Sequence, residues 1–210
     1  MSFFVVDLHV HTVLSACAEA EMLPELIVER AQELGLGIIA ITDHNSAENA
    51  AAVINAATGT HVTVWPGMEV QTKEEVHLVC LFDTLDQVLG WQDEVYAHLP
   101  PLENDDDVFG TQVVLDDSGE IVGRNERLLL TATSFSVERV VQEVHDWGGV
   151  CIPAHVDRPA YSIIANLGFI PPDLAIAGVE SSHLVGPKEA RERFPQLAQY
   201  SLIASGDAHR

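Results

Sequence analysis

Apolar positions along the chain fall into short blocks that alternate between two periods. Phe3 to Val10 is a β-branched and aromatic run of the kind that forms a buried strand, and Gly37 to Thr42 (GIIAIT) is a second. Between them Leu23, Ile27, Ala31 and Leu34 recur at helical spacing, with Pro24 suited to a first turn and Gly35 to a stop. Ser46 is placed to cap a helix whose apolar face is Ala50, Val53, Ile54 and Ala57, ended by Gly59. Val62 to Trp65 and Val76 to Phe82 read as strands. Thr84 followed by Gln87 makes a capping-box pair that opens a helix with Leu85, Val88, Leu89, Val95 and Tyr96 inward. Ser136 caps another helix, which carries Val137, Val140, Val141 and Val144 and is closed by Gly148 and Gly149. Val150 to Ala154, Ala175 to Val179 and Ser201 to Ala204 supply three further strands.

Strands alternating with helices imply an α/β fold with a largely parallel sheet. Seven such units without a long gap favour a closed barrel over an open sheet. Two segments break the rhythm. Pro100 to Asp107 (PPLENDDD) is expected to be a solvated acidic loop, and Gln112 to Gly123, centred on Asp117-Ser118-Gly119, predicts an inserted β-hairpin. Residues 1–210 read as a single domain. The chain stops at Arg210, just after a strand with no helix to cover it, as expected of a natural protein that continues or of a truncated one.

The 210 residues are 47% apolar and 20% charged, enough to bury a core and ordinary for a globular protein. Charge narrows the partners. Lysine and arginine total 10 against 32 acidic residues, a formal charge of −22. Such a surface repels nucleic-acid backbones and anionic membranes, so bulk nucleic-acid binding is expected to be disfavoured. A small anionic substrate would need local positive charge, for instance from metal ions. Cys17, Cys80 and Cys151 are odd in number and widely spaced, so they make no disulfide framework. The opening MSFFVVDLHVH lacks the basic and apolar regions of a secretory leader. No apolar stretch reaches the roughly 18 residues needed to cross a bilayer. A cytoplasmic protein with no membrane partner is expected.

In a parallel barrel, function collects at the carboxyl ends of the strands. His9 and His11 end the first strand, and residues two apart on a strand point the same way. Asp43 and His44 follow the second strand, and Glu69 follows the third in PGMEV. His77 lies in the fourth, His155 ends a later one in CIPAH, and Asp207 and His209 follow the last in SGDAH. Each alone has an ordinary explanation, His77 as a satisfied core imidazole and Asp43 as a helix cap. Together, six imidazoles and two carboxylates would be costly to bury uncompensated. Imidazole combined with carboxylate suits zinc, manganese or iron. His61, His98 and His145 read as surface residues, while His183, after GVE, is a candidate to face the site without binding metal.

These residues stand in DLHVHT at 7–12, ITDHN at 41–45, GMEV at 67–70, VHLVCLF at 76–82, PAHVDRP at 153–159 and SGDAH at 205–209. The set resembles the PHP (polymerase and histidinol phosphatase) family, in the same order and over essentially the whole chain. The resemblance implies a metal-dependent phosphoesterase on a distorted seven-stranded, TIM-like (β/α) barrel with two or three divalent ions. It implies that His9, His11, Glu69 and Asp207 hold one metal, and that Glu69 bridges to a second completed by His77 and His155. His44 and His209 would hold a third. Cys17 stands where relatives carry His or Asp; a thiolate ligates zinc well, although Glu19 or Glu21 could reach in instead, or the third site could be empty. Asp7 and Asp43 fit as acceptors of the free N–H of ligand histidines.

The implied reaction is hydrolysis of a phosphate ester on a small anionic substrate, such as a nucleotide, a histidinol-phosphate-like compound or another phosphomonoester, by a metal-bridging hydroxide. Arg158, three residues after His155, is the expected fork-shaped phosphate donor, with Arg124 and Arg127 as second choices. His183 is the expected general acid. Two other readings stand beside this one. An amidohydrolase-type C–N hydrolase also opens with His-x-His on a barrel, but often bridges its metals with a carbamylated lysine, and only Lys73 and Lys188 are available. A non-catalytic metal-binding accessory domain is the other, and the intact ligand set argues against it.

Overall fold

The computed structural model describes residues 5–210; Phe3 and Phe4 of the first predicted strand lie outside the described residues. In chain order the first half runs β1 (Val6–Val10), α1 (Pro24–Glu33), β2 (Ile38–Ile41), α2 (Ala50–Ala56), β3 (Thr63–Gln71), β4 (His77–Leu81) and α3 (Leu85–His98). Then come α4 (Asp106–Phe109), β5 (Val113–Leu115), β6 (Ile121–Arg124), α5 (Val137–Asp146), β7 (Val150–Pro153) and α6 (Ile163–Leu167). The chain ends with β8 (Val179–Ser182), α7 (Pro187–Arg193), a 3₁₀ turn (Pro195–Gln199) and β9 (Leu202–Ser205).

The apolar runs at the start become parallel neighbours, β1 beside β2 and β2 beside β3, because α1 and α2 supply the crossovers that parallel pairing needs. The order then reverses. Only residues 72–76 join β3 to β4, too few for a crossover, and Glu75 closes the turn at φ +59 with Thr72 N donating to Val76 O at 2.9 Å. β4 therefore runs antiparallel to β3, and β7 antiparallel to β4, so the sheet β1-β2-β3-β4-β7 is mixed rather than largely parallel as expected. This reversal places the amino end of β4 beside the carboxyl ends of its neighbours: His77 pairs with Gln71, and Leu78 with Pro153.

β8 and β9 form a separate parallel pair. It meets the larger sheet through a few contacts, with His11 N donating to Ala208 O at 3.0 Å on one side and Ala177 N to Cys151 O at 3.0 Å on the other. The sheet thus curls into a half-barrel, in place of one continuous seven-stranded ladder. Glu69 lies within β3, which runs six residues past the predicted Trp65, and β8 starts at the predicted last residue of its strand, Val179.

Two apolar layers hold this sheet. Val88, Trp91 and Val95 of α3 and Val137, Val140 and Val144 of α5 pack on Met68, Val70, Leu78 and Cys151, all buried. Ile27, Val28 and Ala31 of α1 and Val53 of α2 cover Ile39 and Ile41. The Thr84–Gln87 capping box and the Ser136 cap are both formed. Ser46 is not a cap. Asn49 precedes α2, while Ser46 Oγ bonds Tyr96 Oη at 2.7 Å and Gln92 Oε1 at 3.2 Å. Asn49 cannot cap either, because its amide donates to Val113 O (3.0 Å) and accepts from Leu115 N (2.9 Å), gripping the antiparallel β5–β6 pair. The acidic stretch read as a loop holds the one-turn helix α4, capped by Asp105.

Gly67 sits two residues before Glu69, between backbones. A β-carbon there would lie 2.8 Å from Cys80 O and 3.1 Å from Ile41 O. Gly67→Ala should destabilise the fold by about 1–3 kcal/mol, as overpacking does. Chemical denaturation checks this, and an unchanged midpoint would mean that the sheet yields at that point.

Candidate metal centre

Glu69 lies at the middle of the site. Parallel pairing sets it beside His44: Glu69 N donates to Asp43 O at 3.0 Å, and Asn45 N to Glu69 O at 2.9 Å. Its side chain is 1% exposed. Oε1 lies 2.9 Å from His77 Nδ1, 3.2 Å from His9 Nε2 and 3.3 Å from His155 Nε2. Oε2 lies 3.0 Å from His44 Nδ1 and 3.5 Å from His11 Nε2. Asp207, from the turn after β9, brings Oδ1 to 3.3 Å from His9 Nε2 and 3.2 Å from His11 Nε2.

Ligand-type atoms gather in three sets, each within 4.8 Å: His9, His11, Glu69 and Asp207; His44, Glu69 and His77; and His11, His44 and His209. His155 joins through Glu69, with its ring 5.4 Å from that of His77. Cys17 is outside these sets and exposed. Burial alone would raise its thiol, but the neighbouring His209 and His44 pull it down to about 6. Glu19 and Glu21 are exposed.

The donor set fits divalent cations. Among the described residues, eight buried side-chain nitrogen and oxygen atoms have no hydrogen-bond partner, and six belong to this cluster: His9 Nε2, His11 Nε2, Glu69 Oε2, His77 Nε2, His155 Nδ1 and Asp207 Oδ1. Unpaired buried polar atoms are normally rare. Imidazole and carboxylate lone pairs that converge on one space are what such cations satisfy. Burial would raise the Glu69 carboxyl, yet His77, His9 and His44 hold it well below the usual range. Burial opposes a proton on His44 as well, but Glu69 raises it to about 10. Cations compete with protons for these lone pairs.

The far sides of His9 and His11 are held in turn. His9 Nδ1 lies 3.0 and 3.2 Å from the two carboxylate oxygens of Glu180. His11 Nδ1 donates to Ser15 Oγ (2.9 Å), which donates to Asp43 Oδ1 (2.7 Å). Asp43 therefore acts on a histidine through Ser15 rather than directly. Asp7 accepts from the backbone N–H of His9 (3.2 Å) and Gly206 (3.0 Å), and from no imidazole among the described residues. Glu180 and Ser15 escaped the sequence reading. The strand carrying Glu180 was expected to end at Val179, and no spacing rule points to a serine in the turn after the His-x-His pair.

Arg158 Nη1 lies 2.5 Å from Asp207 Oδ2 with its side chain 41% exposed. Exposed His183 donates from Nδ1 to Gly206 O at 3.2 Å, next to Asp207. Arg124 pairs with Asp106 at 2.6 Å, and Arg127 stacks 4.4 Å above Tyr96, so both second-choice arginines are engaged elsewhere. Backbone strain collects around the site. His155 (φ +31), Asp207 (+48), Asn45 (+49) and Tyr161 (+57) are left-handed non-glycine residues, a pattern found at functional sites.

The family model described as "PHP domain" matches residues 7–165. A stretch of 82 residues is 37% identical to the 5′-3′ exoribonuclease Rnm of Salmonella typhimurium, covering 37% of this chain and 27% of that protein. Among solved structures, the lesion-specific endonuclease Q of Pyrococcus furiosus is similar at a TM-score of 0.65 and 17% identity, over 98% of this chain and 48% of that one. A Bifidobacterium adolescentis protein inferred to be a metal-dependent phosphoesterase is similar at a TM-score of 0.60 and 20% identity, over 98% and 87%. The chain thus spans about half the length of endonuclease Q and a quarter that of Rnm.

These likenesses overturn one expectation. The net charge of −22 was read as making nucleic-acid binding unlikely, yet endonuclease Q on the same fold was solved with a 27-mer duplex whose abasic lesion lies at the active site. Bulk charge is a poor guide where recognition is concentrated at a few atoms. Among the described residues no helix is long and apolar enough to cross a membrane.

If the orphaned atoms are cation ligands, Zn²⁺ or Mn²⁺ at 100 times its Kd should raise the unfolding free energy by about 2.7 kcal/mol. Thermal melts with and without chelator check this, and melting that ignores both additions would rule out a cation site.

Proposed function

This chain belongs to the PHP domain family, and on that premise we propose that it is a metal-dependent hydrolase that cleaves a phosphate ester in a nucleotide or at a phosphate of a nucleic-acid chain. The observation that carries the proposal is the carboxylate of Glu69, within 3.5 Å of five imidazoles, among lone pairs that have no protein partner. The likeness to Rnm and endonuclease Q supports a nucleic-acid phosphate over an unrelated small ester.

His9, His11, Glu69 and Asp207 would hold one ion, and Glu69, His77 and His155 a second. His44 and His209 would hold a third, with Cys17 beside them. Bound divalent ions of the zinc, manganese or iron class supply positive charge for phosphoryl oxygens and lower the pKa of water towards neutrality. The rest falls to the chain. Arg158 spends one N–H on Asp207 and keeps the others for a phosphoryl oxygen, a charge-assisted contact. With Nδ1 directed at the Gly206 carbonyl, His183 has Nε2 free, and the imidazolium form gives that proton to the leaving oxygen. Water gives a proton to bulk solvent as its oxygen joins phosphorus, the ester P–O bond breaks, and the leaving oxygen departs as an alcohol carrying the proton from His183. Neither lysine can serve as a carbamylated bridge of the amidohydrolase type, since Lys73 is 58% exposed beside Glu74 and Lys188 is 92% exposed.

His9→Ala and Asp207→Ala should each abolish phosphate release from 5′-nucleotides and short oligonucleotides assayed with Mn²⁺ or Zn²⁺. Wild-type rates in both variants would reject the proposal. Arg158→Ala should raise KM by roughly 10- to 100-fold, the value of a hydrogen bond to a charged group, with kcat affected less. A KM that stays put would remove Arg158 from the pocket.

A further inference from the structure

We infer that Glu180 is a positioning residue that aims His9 and His155 at Glu69 from behind; this rests on the metal-centre reading above. Glu180 lies on β8, is 1% exposed, and belongs to none of the three ligand sets. Its carboxylate oxygens are turned to N–H groups. Oε1 lies 3.0 Å from His9 Nδ1 and accepts from the backbone N–H of His155 at 3.0 Å, and Oε2 lies 3.2 Å from His9 Nδ1. Its own carbonyl accepts from Val156 N at 2.8 Å. One residue therefore takes two consecutive amides of the turn after β7 and the rear of an imidazole on β1.

Each contact fixes something the cluster needs. An ionised carboxylate only accepts, so the hydrogen of His9 must sit on Nδ1. In the neutral ring this leaves the lone pair on Nε2, 3.2 Å from Glu69 Oε1 and 3.3 Å from Asp207 Oδ1, where it would be offered to a cation. At His155, φ of +31 is a conformation that side chains other than glycine seldom adopt. The charged hydrogen bond to its N–H holds that turn, and the turn brings His155 Nε2 to 3.3 Å from Glu69. His11 offers the contrast, because its Nδ1 meets the neutral hydroxyl of Ser15. An anionic partner makes an imidazole a stronger donor, so His9 and His11 are unequal ligands.

Glu180→Gln tests this. It keeps size and burial, but its amide end presents hydrogens where one of the N–H donors now points. Zn²⁺ and Mn²⁺ binding to the whole chain is read by calorimetry with chelator competition. The Nδ1–H of His9 is followed by NMR of ¹⁵N-histidine-labelled protein, assigned by its loss in His9→Ala. The variant should bind one cation 10- to 100-fold more weakly and lose or shift that resonance, while circular dichroism stays unchanged. For a phosphate ester, kcat should fall more than KM rises. If Gln disturbs the fold, Glu180→Asp keeps the charge, withdraws the oxygens by one methylene and should weaken the same cation. Equal affinity and stoichiometry in wild type and variant, with the resonance unmoved, would overturn the inference. Failure of the wild type to take up any cation would instead sink the metal-centre reading beneath it.

Discussion

A buried carboxylate surrounded by imidazoles is the constraint on which this molecule depends. Removing a carboxylate from water costs several kcal/mol even after relaxation, and Glu69 is 1% exposed. His9, His44, His77 and His155 stand within 3.3 Å of it, and the charge of His77, His9 and His44 with the hydrogen bond to His155 is what keeps it ionised. Yet the imidazoles are buried too, and each added proton brings a like charge close to its neighbours. Burial and His44 already hold His11 well below the ordinary imidazole value. Protons alone therefore compensate the cluster poorly. Divalent cations among the lone pairs would attract Glu69 and Asp207 and leave the imidazoles neutral, removing both penalties.

The reversal of the sheet follows from the same requirement. In an all-parallel barrel, a residue at the start of a strand lies at the far end from the mouth. His77 begins β4, and it reaches Glu69 because the short 72–76 turn sends β4 back against β3. β7 then runs in the direction of β3, so that His155 returns to the mouth at its carboxyl end. Two successive antiparallel pairings thus bring a strand start and a strand end to one carboxylate. The tight packing at Gly67, with backbone on both sides, keeps Glu69 at that crossing point.

Much of this was legible in the chain because its signals are local. The His9/His11 pair needs only the two-residue period of a strand, and Thr84 and Ser136 cap their helices through contacts three residues away. Contacts set by distant partners were less visible. Ser46 has the chemistry of a cap, but the side chains of Gln92 and Tyr96 claim it, and Asn49 is claimed by the β5–β6 pair. Nothing local marks Glu180 either, since its partners lie 171 and 25 residues away. Cys17 was legible by its offset from His11, and the fold brings it beside His44 and His209 without placing it in a ligand set.

Net charge misled because it is a property of the whole surface, whereas binding at a phosphate is local. At physiological ionic strength, screening weakens exposed charges beyond roughly 8 Å. An exposed acidic side chain farther than that from the mouth therefore contributes little field there. On the proposed reading, an incoming phosphate would meet Arg158 and the imidazole-lined cluster there, a region that bound cations would make strongly positive. An acidic overall charge is thus compatible with the proposed recognition of a nucleic-acid phosphate at the mouth, where the local groups and not the sum over the surface set the field.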